Sequence, residues 1–153
     1  MTLLRLSAAF DQHQQGFMDR MVFSGRLTSL PQISEFIAKS GERADMGSKA
    51  IYQVQLAVDE ACTNIIEHGY GGENKGDIDC SVIIGQKDIT IILRDKGKPF
   101  KMDKVPQPKL NVPLEELQPR GVGVFLMQQM MDEIKYERTT DAENVLTMIK
   151  RKP

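Results

Sequence analysis

The chain has 153 residues, of which 41% are hydrophobic and 27% are charged, as is typical of one soluble globular domain with its own core. The formal net charge of −1 argues against a broad surface for nucleic acid. No apolar run approaches the roughly 20 residues that span a bilayer, and Arg5 interrupts the apolar stretch at the start. We therefore expect a cytoplasmic protein with no membrane contact and no secretory signal.

The beginning of the chain is weakly patterned. We interpret residues 1–18 as a helical or partly loose N-terminal extension and residues 19–153 as a single domain. Within that domain, the short segment 21–24 ends at a glycine and predicts a first strand. Ser29, which is followed two residues later by a proline, predicts the start of a helix.

The most regular pattern predicts a long helix that has Ser48 as its N-cap and stops at the glycine-rich run 69–72. Its apolar residues recur at helical spacing: Ile51, Val54, Val58, Ala61 or Cys62, and Ile65. Glu60, Asn64 and His68 are spaced four apart and share a different stripe. A carboxylate one turn from a carboxamide can take a proton and help to hold magnesium. The same spacing is also typical of a solvated helix face.

Two strands are predicted next, and a short polar motif follows the second. Residues 78–84 and 89–93 alternate between apolar and polar, with a hairpin turn over 85–88. Asp95 stands where the second strand stops, and its carboxylate can accept a hydrogen bond from an exocyclic amine. Gly97 would let a ring approach the backbone. An Asp-x-Gly sequence alone is equally typical of an ordinary turn.

A proline-rich segment and a pair of glycines follow. Five of the seven prolines lie between residues 99 and 119, and we interpret residues 101–119 as a functional lid, with a passive insert as the alternative. Gly121 and Gly123 are predicted to open a helix, where backbone N–H groups suit phosphate. Arg120 adds a cation beside them. The segment lacks the Lys-Ser/Thr of a Walker loop, and a Gly-x-Gly alone is not specific.

The last third of the domain completes an α+β pattern. Strands are predicted over 134–137 and 145–149, joined by a turn over 141–144. Runs of strands with segregated helices predict a two-layer α/β sandwich, in which helices cover one face of a mixed, mostly antiparallel sheet. Cys62 and Cys80 fall at apolar positions, so we interpret them as buried thiols and not as a disulfide framework.

Taken jointly, three separated segments resemble the N, G1 and G2 boxes of the Bergerat-fold ATPases, the superfamily of gyrase, histidine kinases and MutL. The segments are Asp59-Glu60-Ala61-Cys62-Thr63-Asn64 with His68-Gly69-Tyr70, Asp95-Lys96-Gly97-Lys98-Pro99-Phe100, and Arg120-Gly121-Val122-Gly123-Val124-Phe125-Leu126. Within that superfamily, the chain is similar over about residues 20–151 to the anti-sigma-factor serine-protein kinases of bacteria.

The resemblance implies a role for each matching residue near the base and the metal. Glu60 would be the general base for a serine hydroxyl, and Asn64 would coordinate magnesium. Asp95 would bind the adenine amine, with Gly97 beneath the ring and Thr147 assisting nearby.

The resemblance also implies the phosphate site and the partners. Gly121 and Gly123 would lie against the phosphates of ATP, with Arg120 beside them. The protein would use Mg-ATP to phosphorylate an antagonist protein on serine or threonine, bind a sigma factor and form a homodimer. Two other functions stay open. One is a non-catalytic, nucleotide-dependent partner-binding module. The other is a detached histidine-kinase domain, for which His13 offers a poor phosphoacceptor helix.

Overall fold

Alternating apolar residues build a five-stranded sheet. The computed structural model describes residues 17–100 and 119–153. The strands are β1 (Phe17–Ser24), β2 (Asp77–Ile84), β3 (Asp88–Asp95), β4 (Glu133–Arg138) and β5 (Asn144–Arg151). Their order in the sheet is β1-β2-β3-β5-β4, and every pairing is antiparallel. The predicted α+β fold is confirmed, with the sheet antiparallel throughout its described strands and not mixed.

Three helices form the second layer: α1 (Leu30–Arg43), α2 (Ser48–Asn64) and α3 (Pro119–Met130). A short 3₁₀ turn, Leu27–Ser29, precedes α1, and a π-helical turn, Ile65–Gly69, continues α2. Helix α2 packs between α1 and α3, so its exposed side and its C-terminal end lie at the centre of the helical layer. In the part of the chain that the structure describes, no helix combines the length and apolar character needed to cross a bilayer.

The core lies between the sheet and the helices. The alternation of side chains along the strands and the helical repeat both turn apolar residues toward this layer. Its fully buried members include Ile37, Val54, Val58, Ile78, Ile91, Leu93 and Met148. Cys62 and Cys80 are also free and buried, as predicted. Burial raises the pKa of the Cys62 thiol well above its ordinary value and that of Cys80 to about 12. Both thiols are therefore protonated at neutral pH and act as small apolar residues.

The element boundaries differ from the predicted ones at several ends. Strand β1 begins at Phe17, two residues inside the predicted extension; the rest of that extension and the predicted lid up to residue 118 lie outside the described residues. Gly47, with a φ of 83°, is the N-cap of α2, and Ser48 is its first helical residue. A backbone conformation that favours glycine therefore replaces the predicted side-chain cap.

Candidate functional site

The end of α2, the turn after β3 and helix α3 converge on one pocket. Its lining residues are Ala61, Asn64, Ile65, Gly69, Asp95, Lys98, Phe100, Met127, Tyr136 and Leu146. Apolar walls with a small number of polar groups are typical of sites for small ligands. The fold thus brings two of the predicted site residues, Asn64 and Asp95, to the same pocket.

A change of helical geometry shapes the floor of this pocket. Helix α2 widens into the π-helical turn Ile65–Gly69, in which the Tyr70 N–H donates to the Ile65 carbonyl at 2.8 Å. Single π-turns of this kind occur frequently at functional sites. The Gly69 carbonyl then accepts a hydrogen bond from the Lys98 N–H at 2.8 Å. This bond ties the end of α2 directly to the turn that follows Asp95.

Gly97 lies in direct backbone contact with Gly69. A Cβ atom added at Gly97 would lie 2.5 Å from the Gly69 carbonyl carbon and 2.7 Å from its oxygen. The neighbouring atoms are backbone, so no side chain can move aside to relieve such a contact. Sequence reasoning assigned Gly97 to the approach of a ligand ring, whereas the described contact is between two chain segments.

We expect Gly97→Ala to destabilise the fold by about 1–3 kcal/mol, because the added methyl group must push two backbone segments apart. Urea unfolding measures this change. Lys96→Ala, an exposed substitution in the same turn, is the matched control and should stay within about 0.5 kcal/mol of wild type. Equal stability of Gly97→Ala and wild type would show that the Gly69–Gly97 contact is loose.

Asp95 is nearly buried, with a relative exposure of 7%. Its Oδ1 atom accepts hydrogen bonds from the Gly97 N–H and from the Asn144 side-chain amide, both at 2.9 Å. Burial raises the pKa of Asp95, while these two hydrogen bonds and the positive charge of Arg138 act in the opposite direction. Both donors from the described residues fall on Oδ1. The second carboxylate oxygen, Oδ2, is therefore the one left for a ligand.

Glu60 lies on the side of α2 that faces the start of α3. A Cβ atom added at Gly123 would be 2.8 Å from Glu60 Oε2, so the lack of a side chain there makes room for the carboxylate. Burial raises the pKa of Glu60, and the negative charges of Asp59 and Glu67 add to the effect. A carboxylate with a raised pKa is a stronger base, as general-base catalysis requires. Glu60 and Gly123, predicted separately, are thus neighbours.

The other predicted site residues are placed differently from expectation. Helix α3 begins at Pro119, so Gly121 and Gly123 lie inside it and do not precede it. A proline fits the first helical position because its missing N–H would have no partner there. Arg120 and Gly121 belong to the first turn of α3, whose side chains lie outside the described part of the structure.

Thr147, predicted to assist near the adenine, lies on the face of the sheet opposite to the core. Its neighbours Leu146 and Met148 belong to the core beneath the helices, whereas Thr147 points to the opposite face, beside its pairing partner Ile92. Asn144, which sequence reasoning missed, occupies the position opposite Asp95. The sequence did contain a sign of this position. Asn144 is spaced by two from Leu146 and by four from Met148, so it is a polar residue on the same face of β5 as these two core residues.

Comparison with known proteins gives one matching family. Residues 23–150 match the model of the histidine kinase-like ATPase domain. The serine-protein kinase RsbW of Bacillus velezensis is 31% identical over 103 residues, which cover 63% of this chain and 63% of the relative. The anti-sigma F factor of Thermoanaerobacter sp. (strain X514) is 36% identical over 116 residues, which cover 74% of this chain and 79% of the relative.

A solved structure supports the fold independently. The RsbU and RsbW domains of Rv1364c from Mycobacterium tuberculosis superpose with a TM-score of 0.63 and 13% identity, over 88% of this chain and 32% of that one. At this identity the likeness shows the fold alone. The matched region spans 63% and 61% of the length of two RsbW relatives, from Bacillus velezensis and Oceanobacillus iheyensis.

Proposed function

The chain belongs to the family of histidine kinase-like ATPase domains, and from this premise we propose that it is an ATP-binding anti-sigma regulatory factor. In this proposal it phosphorylates an antagonist protein on serine or threonine. The observation that carries the proposal is the pocket at the end of α2, where an apolar slot contains one nearly buried carboxylate, Asp95, with a free oxygen.

The pocket residues fit an adenine ring. Ile65, Phe100 and Leu146 supply apolar walls, which suit the faces of a purine. Asp95 Oδ2 is an acceptor without a described protein donor, and the exocyclic 6-amine of adenine is a donor. Hydrogen bonds to a charged acceptor are among the stronger ones in proteins. The base would thus be held by one polar contact inside an apolar slot.

The residues near the pocket also fit a magnesium ion that arrives with the nucleotide. Among the described residues no group of three or more His, Cys, Asp and Glu side chains is placed to hold a metal. Magnesium in phosphoryl-transfer sites typically takes one or two protein oxygens together with phosphate oxygens and water. Asn64 lines the pocket and would supply such an oxygen. When bound, the ion neutralises charge on the transferred phosphate.

The start of α3 would receive the phosphates. The backbone N–H groups in the first turn of a helix have no intrahelical partner, and the helix dipole adds partial positive charge there. Gly121 lies in this first turn, and Gly123, two residues further along α3, is next to Glu60. Arg120 belongs to the same turn and would add a cation. The proposed base and the proposed phosphate site are therefore adjacent.

In this arrangement Glu60 acts as the general base. It takes the proton of a serine or threonine hydroxyl, whose oxygen forms a bond to the γ-phosphorus. The bond from that phosphorus to the bridging oxygen breaks, and ADP leaves with the electron pair. Phosphoryl transfer of this kind depends mostly on positioning and on stabilising charge.

The proposed partners come from the relatives. One relative is named a serine-protein kinase and another an anti-sigma F factor. We carry both roles to this chain, with a phosphorylatable antagonist and a sigma factor as partners. A homodimer and a cytoplasmic location complete the proposal.

Thermal unfolding with and without Mg-ATP tests the nucleotide site. A ligand at 100 times its dissociation constant should stabilise the fold by about 2.7 kcal/mol. Transfer of label from γ-³²P-ATP to a co-encoded antagonist then tests the kinase. Stabilisation without transfer would favour the non-catalytic module, and an acid-labile phosphoprotein would favour histidine phosphorylation. No stabilisation at millimolar Mg-ATP would refute nucleotide binding.

A further inference from the structure

A buried amide at the start of β5 connects Asp95 to an arginine. Asn144 is 1% exposed. Its Nδ2 atom donates to Asp95 Oδ1 and to the Gly97 carbonyl, both at 2.9 Å. Its Oδ1 atom accepts from Arg138 Nη1 at 2.7 Å, and the same nitrogen lies 3.3 Å from the Gly97 carbonyl. Every polar atom of the Asn144 side chain is therefore used.

The chemistry of the neighbours fixes which way the amide faces. A guanidinium can only donate hydrogen bonds, and an ionised carboxylate can only accept them. The oxygen of Asn144 must therefore face Arg138, and its NH₂ group must face Asp95. Rotating the amide by 180° would place two donors against each other at one end and two acceptors at the other.

This orientation directs the Asn144 donor to one oxygen of the Asp95 carboxylate and leaves the other oxygen for a ligand. The Oδ1 atom receives the Asn144 amide and the Gly97 N–H. Oδ2, the acceptor that remains, can pair with the 6-amino group of adenine. The 6-oxo group of guanine is also an acceptor, so it could not form a hydrogen bond with Oδ2. Rotation of the Asp95 side chain would break the two bonds on Oδ1, so the network resists it.

We propose that Asn144 and Arg138 are positioning residues that set the selectivity for 6-amino over 6-oxo purines, acting through Asp95 and the Gly97 turn. The inference rests on the proposed nucleotide site and adds to it the two residues that orient the Asp95 carboxylate. Neither residue contacts the base. Arg138 acts on Asn144, and Asn144 acts on Asp95. Substitution of Asn144 should therefore change the selectivity more than substitution of Arg138.

The test measures the affinities of ADP and GDP for the full chain by isothermal titration, in wild type and in Asn144→Leu. Leucine has the same branched arrangement of heavy atoms as asparagine, but it cannot donate a hydrogen bond to Asp95 or to the Gly97 carbonyl. We expect the ratio of ADP to GDP affinity to fall by about tenfold, which corresponds to one charge-assisted hydrogen bond. Thr90→Val, a half-buried substitution on the opposite face of β3, is the control and should leave the ratio unchanged.

A second variant covers the case in which Asn144→Leu fails to fold. Arg138 is exposed at the end of β4, so Arg138→Met should fold and lower the ratio by about threefold, while Arg138→Lys should restore most of it. A purely structural role predicts equal loss of ADP and GDP affinity with an unchanged ratio, which would overturn the inference. If wild type binds ADP but neither substitution changes the ratio of ADP to GDP affinity, only this inference fails. If wild type binds neither nucleotide, the proposed function fails with it.

Discussion

Glu60→Gln is expected to lower phosphoryl transfer to the antagonist by about 10²–10⁴-fold while leaving nucleotide affinity nearly unchanged. Glutamine keeps the shape that fits beside Gly123, but its amide cannot accept the hydroxyl proton. Single-turnover transfer at saturating Mg-ATP measures the chemical step apart from binding. Glu35→Gln, an exposed change on α1, is the matched control and should transfer at close to the wild-type rate.

The same substitution should alter how stability depends on pH. Burial raises the pKa of Glu60 in the folded state above its ordinary value, so the folded state binds the proton more tightly than the unfolded state. The ionised carboxylate therefore lowers wild-type stability as pH rises from the ordinary glutamate pKa through the raised one. Glu60→Gln removes this contribution, so urea unfolding at pH 8 should find it at least as stable as wild type. Normal transfer by the variant would contradict the assignment of Glu60 as base.

The layers of the fold were predictable because they follow from short-range patterns. Helix α2 and strands β2 and β3 carry regular periodicities, which depend only on neighbouring residues. Glu60 and Asn64 could be paired from the same logic, since residues four apart on one helix lie on the same face. The antiparallel pairing of β3 with β5 was not accessible in this way, because it joins residues that are far apart in the sequence.

The differences between the expected and the observed placement of site residues come from that missing long-range information. Side chains alternate along a strand, so an offset of one residue moves a side chain to the other face of the sheet. Thr147 and Asn144 lie on opposite faces of β5. Only the pairing register of β3 with β5 shows which of the two lies opposite Asp95. The close contact of Gly97 with Gly69 likewise depends on how the end of α2 meets the turn after β3. Local patterns thus gave the elements, and register decided which polar residues meet.

Asp95→Asn should cut the affinity for ATP by about 100-fold or more while leaving the fold intact, and it should raise the relative affinity for 6-oxo purines. The Gly97 N–H and the Asn144 amide both need an acceptor, so the new carboxamide must turn its oxygen toward them. Its NH₂ group then occupies the position of Oδ2 and meets the adenine amine donor to donor. The loss combines a missing charge-assisted hydrogen bond with an unpaired buried donor. Titration with ATP and with GTP measures both effects.

The pH profile of binding separates this explanation from a general disturbance of the pocket. Burial raises the pKa of Asp95, and a protonated Oδ2 would become a donor like the new amide. Wild-type ATP affinity should therefore fall as the pH is lowered through that raised pKa, whereas Asp95→Asn should lack this dependence. Asp88→Asn, a half-buried change at the other end of β3, should bind like wild type at every pH. Undiminished ATP binding by Asp95→Asn would mean that another group reads the base.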